Sequence, residues 1–404
     1  MKKNFFGIIF NFNGFAQLTY QKKFLFKKIS ENFDQFYLIN SSNIEFFGGK
    51  KEFNLEELKK KIPHNFVLIN PKNSKEFNNF FKDKFFILIA SIGRQFGHFK
   101  IHYLLNKKNI KLIFLNNIGN FQGTEYHKIS VFFKLQIFKK IPHKIVILLS
   151  ILNIFPKIDL RFISNKKNYE KATNNFFYKF SKNFSLISLF YTKNFFLVNS
   201  MSYDESKSKN LKVTEDKIVM VDTNINHVDN IKYSGYINEQ TIKKCYEKLE
   251  TFLKKLSFYY DKPVIVCLHP TSKIEKISEY LKDFEVVKYK TRENIYKSFI
   301  TLFYESSSIV DAYILNKRII ALENSMMGGG WLRQVEQYPK KTGILKINIL
   351  KEFDIENKKT FLDKLNSTIS MDKYQNYVKN NLKPDGENIG TEKIIRILKD
   401  KYKI

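Results

Sequence analysis

Short apolar runs alternate with amphipathic segments through the second half of the chain. Lys217–Asp222 and Val264–Leu268 are apolar runs that end in polar loops, as buried parallel strands do. Between them, Gln240–Tyr259 carries apolar residues at helical spacing. The alternation continues with predicted helices over Glu275–Leu281, Arg292–Lys297 and Ile309–Leu315, and with predicted strands over Phe284–Val287, Phe299–Tyr304 and Arg318–Leu322. Repeated β-α units with short loops predict a doubly wound parallel sheet.

The first half is less regular but contains one clear β-α-β unit. Phe85–Ala90 predicts a strand, Phe99–Leu105 a helix and Lys111–Leu115 a second strand. Phe5–Phe10 is a further apolar run, and it predicts the first strand of this half. The pattern as a whole therefore predicts an α/β protein made of two domains.

Charge and phenylalanine mark the boundary between the halves. The chain has 69 Lys and Arg residues and 39 Asp and Glu residues. Residues 1–200 contain 33 of the basic residues, only 11 of the acidic ones, and 34 of the 41 phenylalanines. A polar stretch, Asn199–Lys217, lies where the composition changes. We predict a first domain over 1–200, a linker over 201–215, a second domain over 216–375 and a helical segment over 376–404. The helix expected at Thr391–Tyr402 is predicted to pack back on the first domain.

The net charge of +30 has two explanations that the sequence leaves open. A basic surface attracts nucleic acid or an anionic membrane. An A+T-rich genome also enriches any protein in Lys, Asn, Ile and Phe. RNA binding is disfavoured, because Arg94 and Arg161 are the only arginines of the basic half and no base-stacking motif accompanies them. The two cysteines exclude a disulfide scaffold and a cysteine-based zinc site.

One basic segment has a composition that suits a membrane surface. Val131–Lys157 places lysines among bulky apolar residues, which is typical of a chain lying in a membrane interface and also of a buried element with solvated lysines. Its longest apolar run, Ile145–Phe155, is too short to span a bilayer. A secretory signal is not expected at the N-terminus, because asparagines interrupt the apolar run and no small-residue cleavage site follows.

Three loops after predicted strands of the second half carry the candidate chemistry. They contain Asp222-Thr223, His269-Pro270-Thr271-Ser272 and Glu305-Ser306-Ser307-Ser308. In parallel sheets, ligands bind at the carboxyl ends of strands. Hydroxyls that open a helix can hold an anion, although ordinary helix capping also explains them. A histidine fixed by a following proline can donate to a phosphate or simply support its loop. Together the loops predict a pocket for a phosphorylated, nucleotide-linked ligand.

Two of these segments carry a resemblance to known enzymes. CLHPTS (267–272) and TLFYESSSIVDAYILNKRIIALE (301–323) resemble the His-Pro and Ser-Ser motifs of bacterial sialyltransferases and polysialyltransferases. The second is also similar to the serine-rich turn of teichoic-acid-type polymerases, with Arg318 where proline is more typical. The resemblance implies the GT-B fold, in which two Rossmann-like domains turn their parallel sheets towards a cleft. It also implies that His269 contacts the donor phosphate and that Ser306–Ser308 hold the nucleotide.

The first domain departs from the sialyltransferase pattern. Those enzymes carry an acidic pair followed by glycine, and its carboxylate is the general base; residues 1–200 contain no such motif. Glu125 and His98 are the candidate bases, each with an ordinary loop residue as the alternative. Arg94, with Gly93 and Gly97 beside it, is the candidate acceptor site, because glycines let a backbone approach a ligand closely.

The sequence therefore predicts a glycosyltransferase that acts in the cytoplasm, peripherally on the inner membrane. The preferred donor is a CMP-activated sialic acid or related acidic sugar, and the acceptor a glycolipid or oligosaccharide of lipopolysaccharide, lipooligosaccharide or capsule. A UDP- or GDP-sugar or polyol-phosphate transferase of the same fold is the alternative, and a basic RNA-binding protein is a third, non-enzymatic one. We expect no nucleic-acid partner, no metal and no cofactor beyond the nucleotide-sugar co-substrate. Glu323 precedes a glycine-rich loop and is a further candidate for the donor site.

Overall fold

A computed structural model describes residues 4–10, 23–44, 64–91, 99–116, 158–174, 194–208, 213–225, 235–270, 272–350, 357–366 and 370–403. The chain divides into two units. The first contains the described residues up to Asp204 together with those from Lys383 onward. The second contains the described residues of Glu205–Leu382.

The first unit is built on seven parallel strands in the order β3-β2-β1-β4-β5-β6-β7. The strands are β1 (Asn4–Phe10), β2 (Phe36–Asn40), β3 (Phe66–Ile69), β4 (Phe85–Ser91), β5 (Lys111–Asn116), β6 (Ile158–Ile163) and β7 (Phe195–Leu197). The helices are α1 (Lys23–Asn32), α2 (Ser74–Phe80), α3 (Phe99–Lys107) and α4 (Lys166–Thr173). A fifth helix, α5 (Met201–Ser208), begins in the first unit and ends in the second.

Phenylalanine fills much of the core of the first unit. Alternate residues of β1 enter opposite faces of the sheet: Ile8 and Phe10 pack on one side and Ile9 on the other. Phe6 and Phe36 meet edge to face, with their ring centroids 5.0 Å apart. In the described part of this unit, phenylalanine side chains therefore contribute to packing on both faces of the sheet.

The second unit is a six-stranded parallel sheet in the order β10-β9-β8-β11-β12-β13. The strands are β8 (Lys217–Val221), β9 (Val264–Leu268), β10 (Glu285–Lys288), β11 (Ser298–Phe303), β12 (Arg318–Glu323) and β13 (Leu345–Asn348). The helices are α6 (Glu239–Tyr260), α7 (Ile274–Tyr280), α8 (Thr291–Tyr296), α9 (Ile309–Ile314), α10 (Gly329–Val335), α11 (Gln337–Thr342), α12 (Lys358–Asn366) and α13 (Met371–Tyr377). The final helix, α14 (Gly390–Tyr402), belongs to the first unit.

The predicted α/β architecture with two parallel sheets is confirmed. Each element predicted in the second unit is present with its ends displaced by no more than one residue. The central strands are buried on both faces: Ile218 and Met220 of β8 pack on one side, Val219 and Val221 on the other. Such strands produce continuous apolar runs in the sequence, which made them recognisable. The helices from α10 to α13 and strand β13 were not predicted.

Helix α6 shows how the sequence sets its own ends. Asn238 accepts a hydrogen bond at Oδ1 from the Thr241 amide over 2.8 Å, which caps the first turn. The helix ends at Asp261 in a left-handed conformation, with φ of 49°. Leu249 and Leu253 are fully buried and fix the helix on the sheet.

The stretch 201–215, predicted as a linker, contains the regular helix α5. Asp204 is fully buried there and accepts hydrogen bonds from the Gly390 and Thr391 amides over 2.8 and 2.6 Å, and from the Thr391 hydroxyl. Burial raises the pKa of this carboxyl to about 6. The next residue, Glu205, belongs to the second unit and forms an ion pair there with Arg292. The polar residues that suggested a solvated linker thus include buried hydrogen-bonding groups.

The C-terminal helix α14 lies in the core of the first unit. Ile394 and Leu398 are buried in one cluster with Leu25 and Ile29 of α1. The backbone amides of its first turn donate hydrogen bonds to the Asp204 carboxyl, at the end of the helix where the dipole favours negative charge.

Candidate functional site

Four loops of the second unit lie at one edge of the sheet. They follow β9, β8, β11 and β12, which are neighbours in that order. The chain leaves β8 on one side to form β9 and returns on the other side as β11. This reversal is the topological switch point at which open α/β sheets bind ligands. The three candidate loops of the sequence follow β8, β9 and β11.

A hydrogen bond joins the two loops at the switch point. The Thr223 hydroxyl, after β8, donates to the backbone carbonyl of Glu305, after β11. Thr223 and its neighbour Asp222 are both buried. The structure therefore brings these predicted residues into one connected group.

The Asp222 carboxyl is held beneath the loop by a tyrosine of α6. Tyr246 donates its hydroxyl to the carboxyl, and Oη lies 3.1 Å from each carboxyl oxygen. Burial raises the pKa of Asp222 to about 7, although the hydrogen bonds from Tyr246 and from the Thr223 amide oppose the shift. The same burial keeps the pKa of Tyr246 well above its usual range, so this hydroxyl remains a donor.

Glu305 has a comparable environment on the other side of the switch point. Tyr338 of α11 donates its hydroxyl to Oε2 over 2.6 Å. Burial raises the pKa of Glu305 to about 7. Near neutral pH, Asp222 and Glu305 are therefore partly protonated, and they repel an anionic ligand less than two ordinary carboxylates would.

The serine run connects β11 to α9. The Ser306 hydroxyl accepts a hydrogen bond from the Ser308 amide over 3.2 Å, which closes the turn before the helix. Ser307 is exposed and Ser308 is half-buried. The Ser306 hydroxyl thus supports the turn before α9, whose N-cap, Ser308, makes no capping hydrogen bond with its side chain. Ser307 has a side chain accessible to a ligand.

The His-Pro loop follows β9, beside the Asp222 loop. His269 is half-buried, and its carbonyl accepts a hydrogen bond from the Ser272 amide over 2.9 Å. The carbonyl of Ser272 in turn accepts from Nζ of Lys288 over 2.7 Å. Pro270 is exposed, and the neighbouring Tyr289 has φ of 63°, an unusual conformation for a bulky residue. The loop is thus held in place by backbone contacts, with His269 at the edge of the sheet.

Glu323 occupies the end of β12, but its carboxylate already has partners. It pairs with Lys346, and it accepts from Nδ2 of Asn348 over 3.1 Å. Lys346 also pairs with Glu336 over 2.7 Å. Glu323 therefore ties β12 to β13, and its predicted contact with a donor stays a prediction.

A cavity of about 350 Å³ lies between α6 and α7, beside the loops after β8 and β9. Ser272 and Asn224 line it from those loops. Ile225, of the predicted loop after β8, and Ile242, of the predicted helix, also line it. Its other walls contain residues that the sequence did not single out: Tyr236, Glu239, Tyr246, Lys273, Lys276, Ile277 and Tyr280. These residues lie on helices and in loops without a recognisable motif, so no local signal identified them.

Several predicted residues lie outside the described part of the chain. They are Gly93, Arg94, Gly97, His98, Glu125 and Thr271. The basic segment Val131–Lys157 lies outside it as well. The predicted acceptor site and general base therefore stay predictions.

No group of three or more His, Cys, Asp or Glu side chains in the described ranges is arranged to hold a metal ion. None of the helices described is both long and apolar enough to cross a membrane.

Solved structures share this architecture over their full length. S. aureus MnaA, solved with UDP, is 13% identical, with a TM-score of 0.51 over 100% of this chain and 97% of its own. The wall teichoic acid polymerase TagF is 11% identical, with a TM-score of 0.52 over 100% of this chain and 90% of its own. The fold is GT-B.

Other GT-B proteins align equally well. The UDP-GlcNAc 2-epimerase of Methanocaldococcus jannaschii is 14% identical, with a TM-score of 0.52 over 98% of this chain and 100% of its own. No protein-family model and no curated protein matches the sequence. At these identities the likeness establishes the GT-B fold alone, and no sialyltransferase is among the structural neighbours described.

Proposed function

We propose that this chain is a glycosyltransferase that binds a nucleotide-activated sugar at the carboxyl ends of β8, β9 and β11. The support is the grouping of Asp222, Thr223, His269 and Glu305–Ser308 at the switch point of a GT-B sheet. S. aureus MnaA was solved with UDP, and the M. jannaschii neighbour is a UDP-GlcNAc 2-epimerase, which agrees with this class of donor.

The observation that carries the proposal is the hydrogen bond from Thr223 to the Glu305 carbonyl, which joins the loops after β8 and β11 at the switch point. Tyr246 and Tyr338 hold the Asp222 and Glu305 carboxyls beside it. Asp222 and Glu305 both have a pKa of about 7 because they are buried. A protonated carboxyl donates a hydrogen bond to a phosphate oxygen, whereas an ionised one repels it. Perturbed carboxyls at the carboxyl edge of a parallel sheet are typical of a functional site.

The proposed roles combine the positions of the described side chains with the motifs of the sequence. His269 contacts the donor phosphate and stabilises the leaving group, and Ser307 donates its exposed hydroxyl to the nucleotide. Pro270 and Ser272 belong to the same loop as His269, and Thr271, which lies outside the described residues, stays a predicted donor contact. Glu125 and His98 are the candidate bases for the acceptor hydroxyl, with Arg94 as an acceptor contact.

The preferred donor is a CMP-activated sialic acid or related acidic sugar. This choice rests on the His-Pro and serine motifs at 267–272 and 301–323. A UDP- or GDP-sugar or a polyol phosphate is the alternative, and it is favoured by neighbours that include UDP-sugar epimerases and a teichoic acid polymerase.

The acceptor in this proposal is a lipopolysaccharide, lipooligosaccharide or capsule glycan at the inner face of the membrane. The support is the charge distribution, since residues 1–200 hold 33 Lys+Arg against 11 Asp+Glu. A basic surface of this kind is drawn to anionic lipid. The enzyme would then work in the cytoplasm as a peripheral membrane protein.

A thermal-shift screen with CMP, UDP and GDP tests the donor. A nucleotide at one hundred times its dissociation constant should stabilise the chain by about 2.7 kcal/mol. We expect CMP to raise the melting temperature most. A shift with UDP or GDP alone would replace the CMP donor by the alternative, and the absence of any shift with all three would contradict the proposed function.

A further inference from the structure

The cavity between α6 and α7 lies to one side of the proposed donor site. It is lined from the β8 and β9 loops, whereas the serine loop after β11 lies on the other side of β8 and contributes none of its lining residues. Its volume of about 350 Å³ is within the range of small-molecule pockets. The cavity is therefore large enough for a ligand of its own.

Aromatic rings form one part of the cavity wall. Tyr246 and Tyr280 stack with their ring centroids 5.5 Å apart and an angle of 17° between their planes. The hydrogen bonds from Tyr246 to Asp222 hold this pair in position. Tyr236 at the same cavity is 70% exposed, so its ring can be covered by a bound ligand. Amphipathic tyrosine rings of this kind pack against the C–H face of a sugar, while the tyrosine hydroxyls stay hydrated.

Positive charge forms another part of the wall. Lys276 pairs with Glu239 over 2.5 Å, and both side chains line the cavity. Lys273 also lines it, and no carboxylate of the described residues lies within ion-pair distance of this ammonium group. Lys273 does attract the Glu239 carboxylate at longer range. A lysine without a direct ion pair, beside hydroxyl and amide groups, suits a phosphate.

A buried hydroxyl at the cavity also lacks a partner. Ser272 is only 6% exposed, and its Oγ has no hydrogen bond to any described residue. Buried polar atoms in native proteins are almost always paired, and a group left without a partner costs free energy. A ligand in the cavity would supply the missing hydrogen bond.

We propose that this cavity binds a phosphorylated monosaccharide, separately from the nucleotide at the strand ends. Lys273 pairs with the phosphate, the Ser272 hydroxyl donates a hydrogen bond to the ligand, and Tyr236 covers the sugar ring. The Glu239 carboxylate accepts from sugar hydroxyls. The inference does not depend on the identity of the donor nucleotide. Apart from Ser272, which belongs to the His-Pro loop, its side chains lie outside the proposed donor site.

Calorimetric titration of the full chain with glucose 1-phosphate tests this pocket. We expect binding to be at least tenfold weaker in Lys273→Ala and in Tyr236→Ala, which replace exposed side chains and leave the core intact. The matched controls are Lys248→Ala and Phe258→Ala, two exposed positions of α6 that do not line the cavity. The controls should bind within twofold of the native chain.

Ser272→Ala adds a second signature. This variant should bind glucose 1-phosphate at least tenfold more weakly, yet unfold at the same or a higher temperature, because it removes a buried hydroxyl that has no partner. Ser298→Ala is its control: Ser298 is buried and hydrogen-bonded to Ile295 and Thr301, so that variant should lose stability and keep its affinity.

Three outcomes would overturn the inference. The first is the absence of glucose 1-phosphate binding at millimolar concentration. The second is binding that Lys273→Ala and Tyr236→Ala leave unchanged. The third is a parallel loss of the nucleotide thermal shift in those two variants, which would make the cavity part of the donor site. If only the nucleotide screen fails, the proposed function is contradicted, but the proposal that this cavity binds a phosphorylated monosaccharide is not.

Discussion

Replacing His269 with alanine is expected to lower the rate of sugar transfer by about 10²- to 10³-fold, which is the usual effect of removing one donor from a developing negative charge. In the proposed function this side chain contacts the donor phosphate, which gains charge as the bond to the sugar breaks. The loss should therefore appear in kcat more than in KM. The measurement is nucleotide release from the activated sugar with lipooligosaccharide as acceptor.

The His269 variant should fold normally. The loop is held by the hydrogen bond from the Ser272 amide to the His269 carbonyl and by the contact of Lys288 with the Ser272 carbonyl, and alanine preserves both. Thermal unfolding and circular dichroism check this. His64→Ala, an exposed turn residue of the first unit, is the matched control and should retain the native rate. Full activity of His269→Ala would exclude this histidine from the site.

The Asp222 carboxyl should make the stability of the second unit depend on pH. Its pKa is raised from 3.8 to about 7 in the folded chain, because the carboxyl is buried. The folded state consequently binds a proton more tightly than the unfolded state does. This contribution to stability is complete below about pH 4 and is lost as the pH rises to about 7. At 1.36 kcal/mol per pKa unit, the loss amounts to about 4 kcal/mol.

Asp222→Asn isolates this effect. The amide oxygen still accepts a hydrogen bond from Tyr246, but the side chain no longer ionises. We expect urea unfolding of the variant to lose less stability than the native chain between pH 4 and pH 8. Glu305 retains its own contribution of the same sign, since its pKa is also raised to about 7. Asp261→Asn, at the exposed end of α6, is the control and should follow the native profile. Parallel profiles for Asp222→Asn and the native chain would refute the assignment.

The strands and loops of the second unit could be predicted because their signals are local. Parallel strands buried on both faces are continuous apolar runs, and the polar residues that follow them mark the edge where ligands bind. The sequence therefore identified Asp222, His269 and Glu305 as candidates. The structure places them on three neighbouring strands.

The contacts that tune the site could not be predicted. Tyr246 and Tyr338 reach their carboxyls from helices 24 and 33 residues away in the chain, and neither lies in a motif. The same limitation affected 201–215. Asp204 is buried there against Gly390 and Thr391, which lie 186 and 187 residues further along the chain. Composition identifies polar residues, but it does not distinguish a solvated carboxylate from a buried one with partners.

Hydrogen exchange of the chain saturated with nucleotide tests the central claim most directly, because it reports where the nucleotide lies. The account predicts slower exchange of backbone amides in 222–225, 269–270 and 304–310, at the carboxyl ends of β8, β9 and β11. Bound nucleotide that leaves these amides unchanged, or protects only residues of the first unit, would contradict it.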